Sequence, residues 1–286
     1  MYPAQFEYHK AGTVKEALDL LAKYKDEAKL LAGGHSLLPA MKLRLAQPKH
    51  LIDIGKVSGL AGVREEGGTL VIGAMTTHYA IESSAVLKSK CPLLPEVAGH
   101  IGDPMVRNMG TLGGSLAHAD PAADWPAAVI ALGAELVAEG PKGKRTIKVD
   151  DFFKGLLTTA LAENEILTEI RVQACGANVK SAYAKFPHPA SRFAVVGVAA
   201  VLTLDGGKIS KASIGITGAG TKATRAKGVE AAIAGKPADA ASIQAAASSA
   251  ADGVDVQADL QGSVEYKQHL LRVFAKRAME AAAARK

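Results

Sequence analysis

Cysteine is almost missing from this chain: Cys91 and Cys175 are the only two among 286 residues. Two thiols fall short of the four that hold an iron–sulfur cluster, and no CxxC pair offers a zinc site. The two stand in unrelated sequence contexts, so a disulfide framework is not expected and a reducing compartment is. Aromatic residues are also scarce, at 5%. The core is therefore expected to be aliphatic, with backbones brought close by abundant alanine and glycine. Long apolar runs are lacking too. The longest, residues 126–138, contains Glu135 and is too short to span a bilayer. The start, MYPAQFEYHKAG, shows no charged segment followed by an apolar one, so no signal peptide is expected. These absences predict a cytoplasmic protein, with peripheral association at the inner face of the membrane left open.

Basic residues are in excess, giving a net charge of +6, yet they are scattered. Lys142, Lys144 and Arg145 make the tightest cluster, in a predicted turn. No basic stripe interleaved with aromatics exists, which argues against nucleic-acid binding and for a solvated basic surface able to face an acidic partner.

Local patterns predict a mixed α+β chain. Thr13 can cap a helix through Leu21, with Glu16 completing a capping box. AKLLAGG (28–34), LIDIG (51–55), TLVIGA (69–74) and EILTEIRV (165–172) read as strands. Residues 36–45 read as a helix or irregular turn, and 81–98 as helix broken by Pro92 and Pro95. After Gly176 come β-branched runs, AYAKF, FAVVGVAAVLTL and KASIGITG, separated by turns such as Asp205-Gly206-Gly207. From about Thr224 the chain is alanine-rich and helix-forming, and a last amphipathic helix from about Val264 is expected to pack on those strands. A domain boundary is placed near residues 175–180. No internal repeat is evident.

Two segments carry the chemistry: AGGHS (32–36) and TLGGS (111–115). Each sets paired glycines before a small hydroxyl residue, directly after an apolar run. Glycine admits positive φ and removes the Cβ that would keep a bulky anion away. Successive N–H groups can then form a nest, with the serine hydroxyl as a further donor. One such pair is usually only a tight turn; two suggest opposed loops gripping a pyrophosphate. The second is flanked by a small, polar stretch, IGDPMVRNMG before it and LAHADPAAD after it, of functional-loop rather than core character.

Three segments, AGGHSLLPAMKLR, RNMGTLGGSLAHADPAAD and KFPHPASRFA, resemble the FAD-binding medium subunits of carbon monoxide dehydrogenase and the flavin domains of xanthine dehydrogenase and related molybdenum hydroxylases. The resemblance runs in order over nearly the whole chain. It implies an FAD-binding domain of the vanillyl-alcohol-oxidase (PCMH) type over residues 1–177, in two subdomains of about 1–55 and 56–177, then a small C-terminal α+β domain over 178–286. By position, Ala32, Gly33, Gly34, His35 and Ser36 would form the first pyrophosphate loop, and Thr111, Leu112, Gly113, Gly114 and Ser115 the second. Ile101 would line the cofactor, Asp124 would accept hydrogen bonds from ribose hydroxyls, and Leu167 and Lys185 would lie on the flavin side. No protein acid, base or metal ligand is implied for catalysis, since FAD carries the redox chemistry.

The resemblance further implies two partners, an iron–sulfur small subunit with two [2Fe-2S] clusters and a large subunit with the molybdenum cofactor, in a dimer of heterotrimers. Electrons would pass from the clusters through FAD to a quinone, NAD or another external acceptor. The substrate is expected to be carbon monoxide, with an aldehyde or N-heterocycle as the alternative; a non-catalytic scaffold is the alternative of another class. Ser191-Arg192-Phe193 departs from the family's usual Gly-Asp-aromatic run, replacing a carboxylate by a cation. GAGTKA (218–223) fits a dinucleotide fingerprint but lacks the βαβ context, so it reads as a turn. His118, Asp120 and Asp124 could be taken for metal ligands, yet carboxylates beside such a loop suit hydroxyls or helix caps better.

Overall fold

A computed structural model describes residues 1–285. The chain begins with a small parallel sheet. β1 (Glu7–Lys10), α1 (Val14–Tyr24), β2 (Ala28–Leu31), α2 (Leu37–Lys42) and β3 (His50–Asp53) follow in order, and the strands lie β1-β3-β2. The α1 cap forms as the sequence predicts, with Thr13 Oγ1 accepting from Glu16 N at 3.1 Å. The Glu16 carboxylate reaches one residue further back, to Gly12 N at 2.8 Å. Pro39 sits in the first turn of α2, where a missing N–H costs nothing.

An antiparallel sheet comes next. β4 (Val63–Glu66) and β5 (Thr69–Gly73) form a hairpin whose tip, Gly67-Gly68, takes φ of 56° and 84°, the turn the sequence predicts. Six helices follow: α3 (His78–Ser83), α4 (Ala85–Lys90), α5 (Leu93–His100), α6 (Pro104–Met109), α7 (Leu112–His118) and α8 (Asp124–Ala131). Pro92 breaks the helical run as expected. Pro95 does not, because it falls in the first turn of α5. β6 (Glu135–Gly140), β7 (Gly143–Lys148), the short pair β8 (Phe153–Gly155) and β9 (Thr158–Thr159), and β10 (Ile166–Gln173) complete this part. The sheet order is β4-β5-β10-β6-β7. Lys144 and Arg145 lie in β7 rather than in the turn, and they pair with Glu139 at 3.8 Å and Glu165 at 2.6 Å. Two of the cluster's three cations are thus spent on local ion pairs.

Four antiparallel strands, β11 (Val179–Pro187), β12 (Ala194–Asp205), β13 (Lys208–Thr217) and β14 (Thr224–Arg225), make the third sheet. α9 (Lys227–Ile233), α10 (Ala240–Ala247) and α11 (Val264–Ala283) follow it. The alanine-rich stretch is two short helices, not one, since Gly235 at φ 74° ends the first and Asp239 caps the second. α11 buries Leu270, Leu271, Phe274, Ala278 and Met279 against β11 and β12, as its amphipathic pattern predicts.

The third sheet lies against the second unit through α8. A Cβ on Gly215 of β13 would stand 2.0 Å from the Ala127 carbonyl, so bare backbone meets bare backbone there. The loop before α8 is stitched to the same sheet. Ala194 N bonds to Ala122 O at 3.1 Å, Gly218 N to Pro121 O at 2.7 Å, and Thr217 Oγ1 to both Pro121 O and Ala123 O at 2.7 Å. Gly218 of the GAGTKA segment therefore serves this junction, within a turn. Cys91 and Cys175 are also neighbours after folding, contrary to their unrelated sequence contexts. Cys175 N bonds to Lys90 O at 2.7 Å, which sets Cys175 beside the neighbour of Cys91, and both thiols are free.

Candidate functional site

Folding brings the two glycine motifs together. A Cβ on Gly33 would fall 2.2 Å from the Met109 carbonyl oxygen, and one on Gly114 would lie 3.4 Å from the Ala32 Cβ. Gly34 takes φ of 75°, which lets the chain turn out of β2 toward α2. Across Gly33, Gly34, His35 and Ser36 the backbone N–H groups donate to no acceptor among the described residues. Four consecutive N–H donors without an acceptor lie at a half-exposed turn, an arrangement able to receive an anion. The Nδ1 of His35 meets the Gly33 carbonyl at 2.9 Å, which holds its ring on the outside of that turn.

The second motif is built differently from the loop the sequence suggests. Thr111 caps α7, and Leu112 to Ser115 form its first turn. Gly114 N bonds to Thr111 Oγ1 at 3.1 Å, Gly113 N to Ala74 O at 2.8 Å and Leu112 N to Thr76 O at 3.0 Å. Its N–H groups are thus committed inside the protein, and it offers no second nest. It offers a bare face at Gly114 and the Ser115 hydroxyl. Gly113 packs on Ala74 where no Cβ fits, which fixes α7 to the end of β5.

Behind this motif stands His78, which the sequence did not single out. A Cβ on Gly110 would strike its Nε2 at 2.5 Å, and its Nδ1 accepts from the indole N–H of Trp125 at 3.0 Å. Burial, with lesser contributions from His35 and Arg107, lowers the His78 pKa to about 4. The ring is neutral and serves as an acceptor. Trp125 is the only tryptophan of the chain and is fully buried, a signal available beforehand in its position beside Asp124.

Asp124 and Lys185 meet at 2.8 Å, both nearly inaccessible to solvent. Lys185 also bonds to His100 O at 3.1 Å, and Tyr183 donates to the other Asp124 oxygen at 2.5 Å. Burial pushes the Asp124 carboxyl up, against the pull of Lys185 and Tyr183. Burial and the adjoining Asp124 raise the Tyr183 phenol well above its usual value, so it remains a donor. Both Asp124 oxygens are engaged by these neighbours, and Lys185 keeps one hydrogen uncommitted. Tyr183 and His100, whose rings meet edge to face at 5.6 Å, complete a polar cluster spanning α5, α8 and β11.

Ile101 follows His100 at the end of α5, where its carbonyl accepts from Arg107 at 3.0 Å. Leu167 is buried on β10 in the apolar cluster that holds Leu112 and Leu116 of α7. The next residue, Thr168, accepts from Ala74 N at 2.9 Å. Gly110, His78, Trp125, Asp124 and Lys185 thus form one contiguous line, with Ile101 beside its far end. His118, Asp120 and Asp124 do not gather into a metal-binding group among the described residues. Two shallow concavities lie elsewhere, one against the five-stranded sheet and one beside Met75–Thr77. The facing glycines mark the site, not a closed cavity.

Residues 4–175 match the FAD binding domain in molybdopterin dehydrogenase, and residues 181–282 match the CO dehydrogenase flavoprotein C-terminal domain. The chain is 45% identical over 285 residues to the carbon monoxide dehydrogenase medium chain of Hydrogenophaga pseudoflava, covering 100% of this chain and 99% of that one. It is 38% identical over 285 residues to the corresponding chain of Afipia carboxidovorans, with the same coverage. The solved Hydrogenophaga pseudoflava carbon monoxide dehydrogenase lacking the Mo-pyranopterin moiety superposes with a TM-score of 0.96 at 47% identity, over 99% of both chains. Quinoline 2-oxidoreductase from Pseudomonas putida 86 superposes with a TM-score of 0.93 at 31% identity, over 99% of this chain and 98% of that one. With facing glycine motifs, and with family models spanning both parts of the fold, the chain belongs to the FAD-binding subunits of the molybdopterin dehydrogenases.

Proposed function

We propose that this chain is the flavin-carrying medium subunit of a carbon monoxide dehydrogenase-like molybdenum hydroxylase. It works beside an iron–sulfur small subunit and a molybdenum-binding large subunit. The observation that carries this reading is the convergence of the two glycine motifs around four free N–H donors. That arrangement fits FAD. A pyrophosphate needs close backbone approach and several donors, and Gly33 to Ser36 supply both. Bound FAD supplies electron-carrying chemistry that no side chain of this protein has.

The chain's own residues hold and tune the cofactor. Ala32 to Ser36 seat the pyrophosphate, and Thr111 to Ser115 close over it with Gly114 and the Ser115 hydroxyl. Ile101 and Leu167 give apolar walls. Lys185 presents its free hydrogen to the flavin side, and Asp124 acts through it, holding the ammonium in place. The ribose contact that the resemblance implies for Asp124 stays open to it, since each carboxylate oxygen engaged by Tyr183 or Lys185 retains a second lone pair.

Full-length sequence similarity to carbon monoxide dehydrogenase medium chains favours carbon monoxide over aldehydes or N-heterocycles as substrate of the assembled complex. Two measurements test the proposal. The purified chain titrated with FAD should show flavin bands near one per chain, and Gly114→Asp should lose them, since a carboxylate would face the pyrophosphate. The co-expressed complex should reduce a dye with carbon monoxide and not with quinoline or an aldehyde. A colourless chain and a colourless complex would overturn the flavin assignment; a yellow complex turning over only quinoline would overturn the substrate.

A further inference from the structure

Away from the glycine motifs, the opposite edge of the first sheet carries an unassigned cluster. In parallel pairing Glu7 of β1 lies across from His50 of β3, and His9 is two residues on, so all three side chains share one face. His9 Nε2 and His50 Nδ1 are 3.1 Å apart, and Glu7 Oε2 lies 3.3 Å from His50 Nδ1 and 3.8 Å from His9 Nε2. Tyr24, at the end of α1, stacks on His50 at 3.6 Å and on His9 at 4.9 Å between ring centroids, which fixes both imidazoles.

We propose that Glu7, His9 and His50 form a binding site for a divalent transition metal of the Zn2+ class. Zinc bonds to nitrogen and oxygen of about 2.0–2.1 Å place tetrahedral ligand atoms about 3.3 Å apart. The observed triangle, 3.1 to 3.8 Å, brackets that edge, so an ion can enter with small side-chain shifts. Two imidazoles and one carboxylate suit zinc and its neighbours, and not magnesium or calcium, which favour all-oxygen sets.

Three protein ligands leave a fourth position for water, which is the pattern of an exchangeable site rather than a closed structural one. Histidine stacking on Tyr24 explains why the rings lie together. It does not explain why two ring nitrogens and a carboxylate oxygen converge on one point. The site is separate from the flavin. His50 pairs with Ala28 at the start of β2, whereas Gly33 lies beyond the end of that strand, about 16 Å further at strand spacing. Its effect is to tie β1 to β3 and steady the sheet that carries the first glycine motif. The ammonium of Lys23 lies over the ring of Tyr24, 4.6 Å from its centroid.

The test is a titration of the full-length chain, stripped with a chelator, using Zn2+ alone and then Co2+ alone. One equivalent should bind with micromolar affinity or better, Co2+ should give intense tetrahedral visible bands, and the metal should raise the unfolding temperature. Glu7→Gln, His9→Gln and His50→Gln should each weaken binding by on the order of tenfold or more. Glu7 is exposed, so its variant keeps the fold, and circular dichroism checks all three. No stoichiometric binding would overturn the site and leave a ring stack on Tyr24. So would affinity unchanged in Glu7→Gln and His50→Gln, which would put the ion on exposed histidines such as His118 and His269.

Discussion

A single methyl group is decisive where two backbones touch. Gly33→Ala would drive a Cβ into the Met109 carbonyl 2.2 Å away, so the two motifs must part. FAD affinity should fall by well over tenfold, read by flavin absorbance after gel filtration, with a loss of stability of about 1–3 kcal/mol from overpacking. His78 makes a different prediction. Its pKa is about 4 in the folded chain and about 6.5 unfolded. Between those values the unfolded chain takes up a proton that the folded one refuses. Stability is therefore complete above pH 6.5 and falls as the pH drops toward 4, by on the order of 3 kcal/mol. His78→Asn keeps an acceptor for Trp125 and removes the titration. Urea midpoints measured from pH 7 to 4 should decline less steeply in this variant than in the parent.

Secondary-structure elements transmit these local facts. Most helices here are six to eight residues long, too short to stand without tertiary support. The exceptions are the eleven-residue α1 and the twenty-residue α11, which seals one face of the third sheet. Leu271 is fully buried there, so Leu271→Ala should cost about 2–5 kcal/mol in denaturant unfolding. The loss should fall on the C-terminal sheet first, seen as earlier hydrogen exchange in β11 and β12 than in β5. Helices α1 and α11 and strands β2, β3, β5, β10, β11, β12 and β13 were legible because each carries a clean apolar period or a capping residue; α8, buried on every side, has neither. β4 and β7 were not. Their VREE and GKRTIK sequences are polar edge strands recruited by pairing with neighbours, and pairing leaves no mark in local composition.

For the whole molecule the buried Asp124–Lys185 pair matters most, because it bridges α8 and the third sheet. Lys185→Met leaves a carboxylate buried without its countercharge and should cost about 3–5 kcal/mol. Adding Asp124→Asn should restore part of that loss, a coupling that a double-mutant cycle in urea would measure. Both variants should also retain less FAD at temperatures where they are fully folded, because the flavin-side role proposed for Lys185 is lost. Equal retention in parent and variant would show the pair to be a structural tie alone. Among the described residues no helix is long and apolar enough to cross a membrane.

The sequence by itself determined the motifs and their kind. Paired glycines before a serine, the small polar flanks, and the alternating strands of the second half are all local properties, written in residue order. Family resemblance follows from them. Only the tertiary structure decided how the motifs divide their work. The first is a nest with free donors; the second spends its N–H groups on Thr111, Ala74 and Thr76 and offers a bare glycine face. It also decided that Asp124 serves Lys185, that His78 and Trp125 stand behind the second motif, and that Glu7, His9 and His50 converge. The physical reason is the same each time. A hydrogen-bond donor or a buried charge is defined by the partner that reaches it, and apart from the local Thr111 cap those partners come from 36 to 61 residues away.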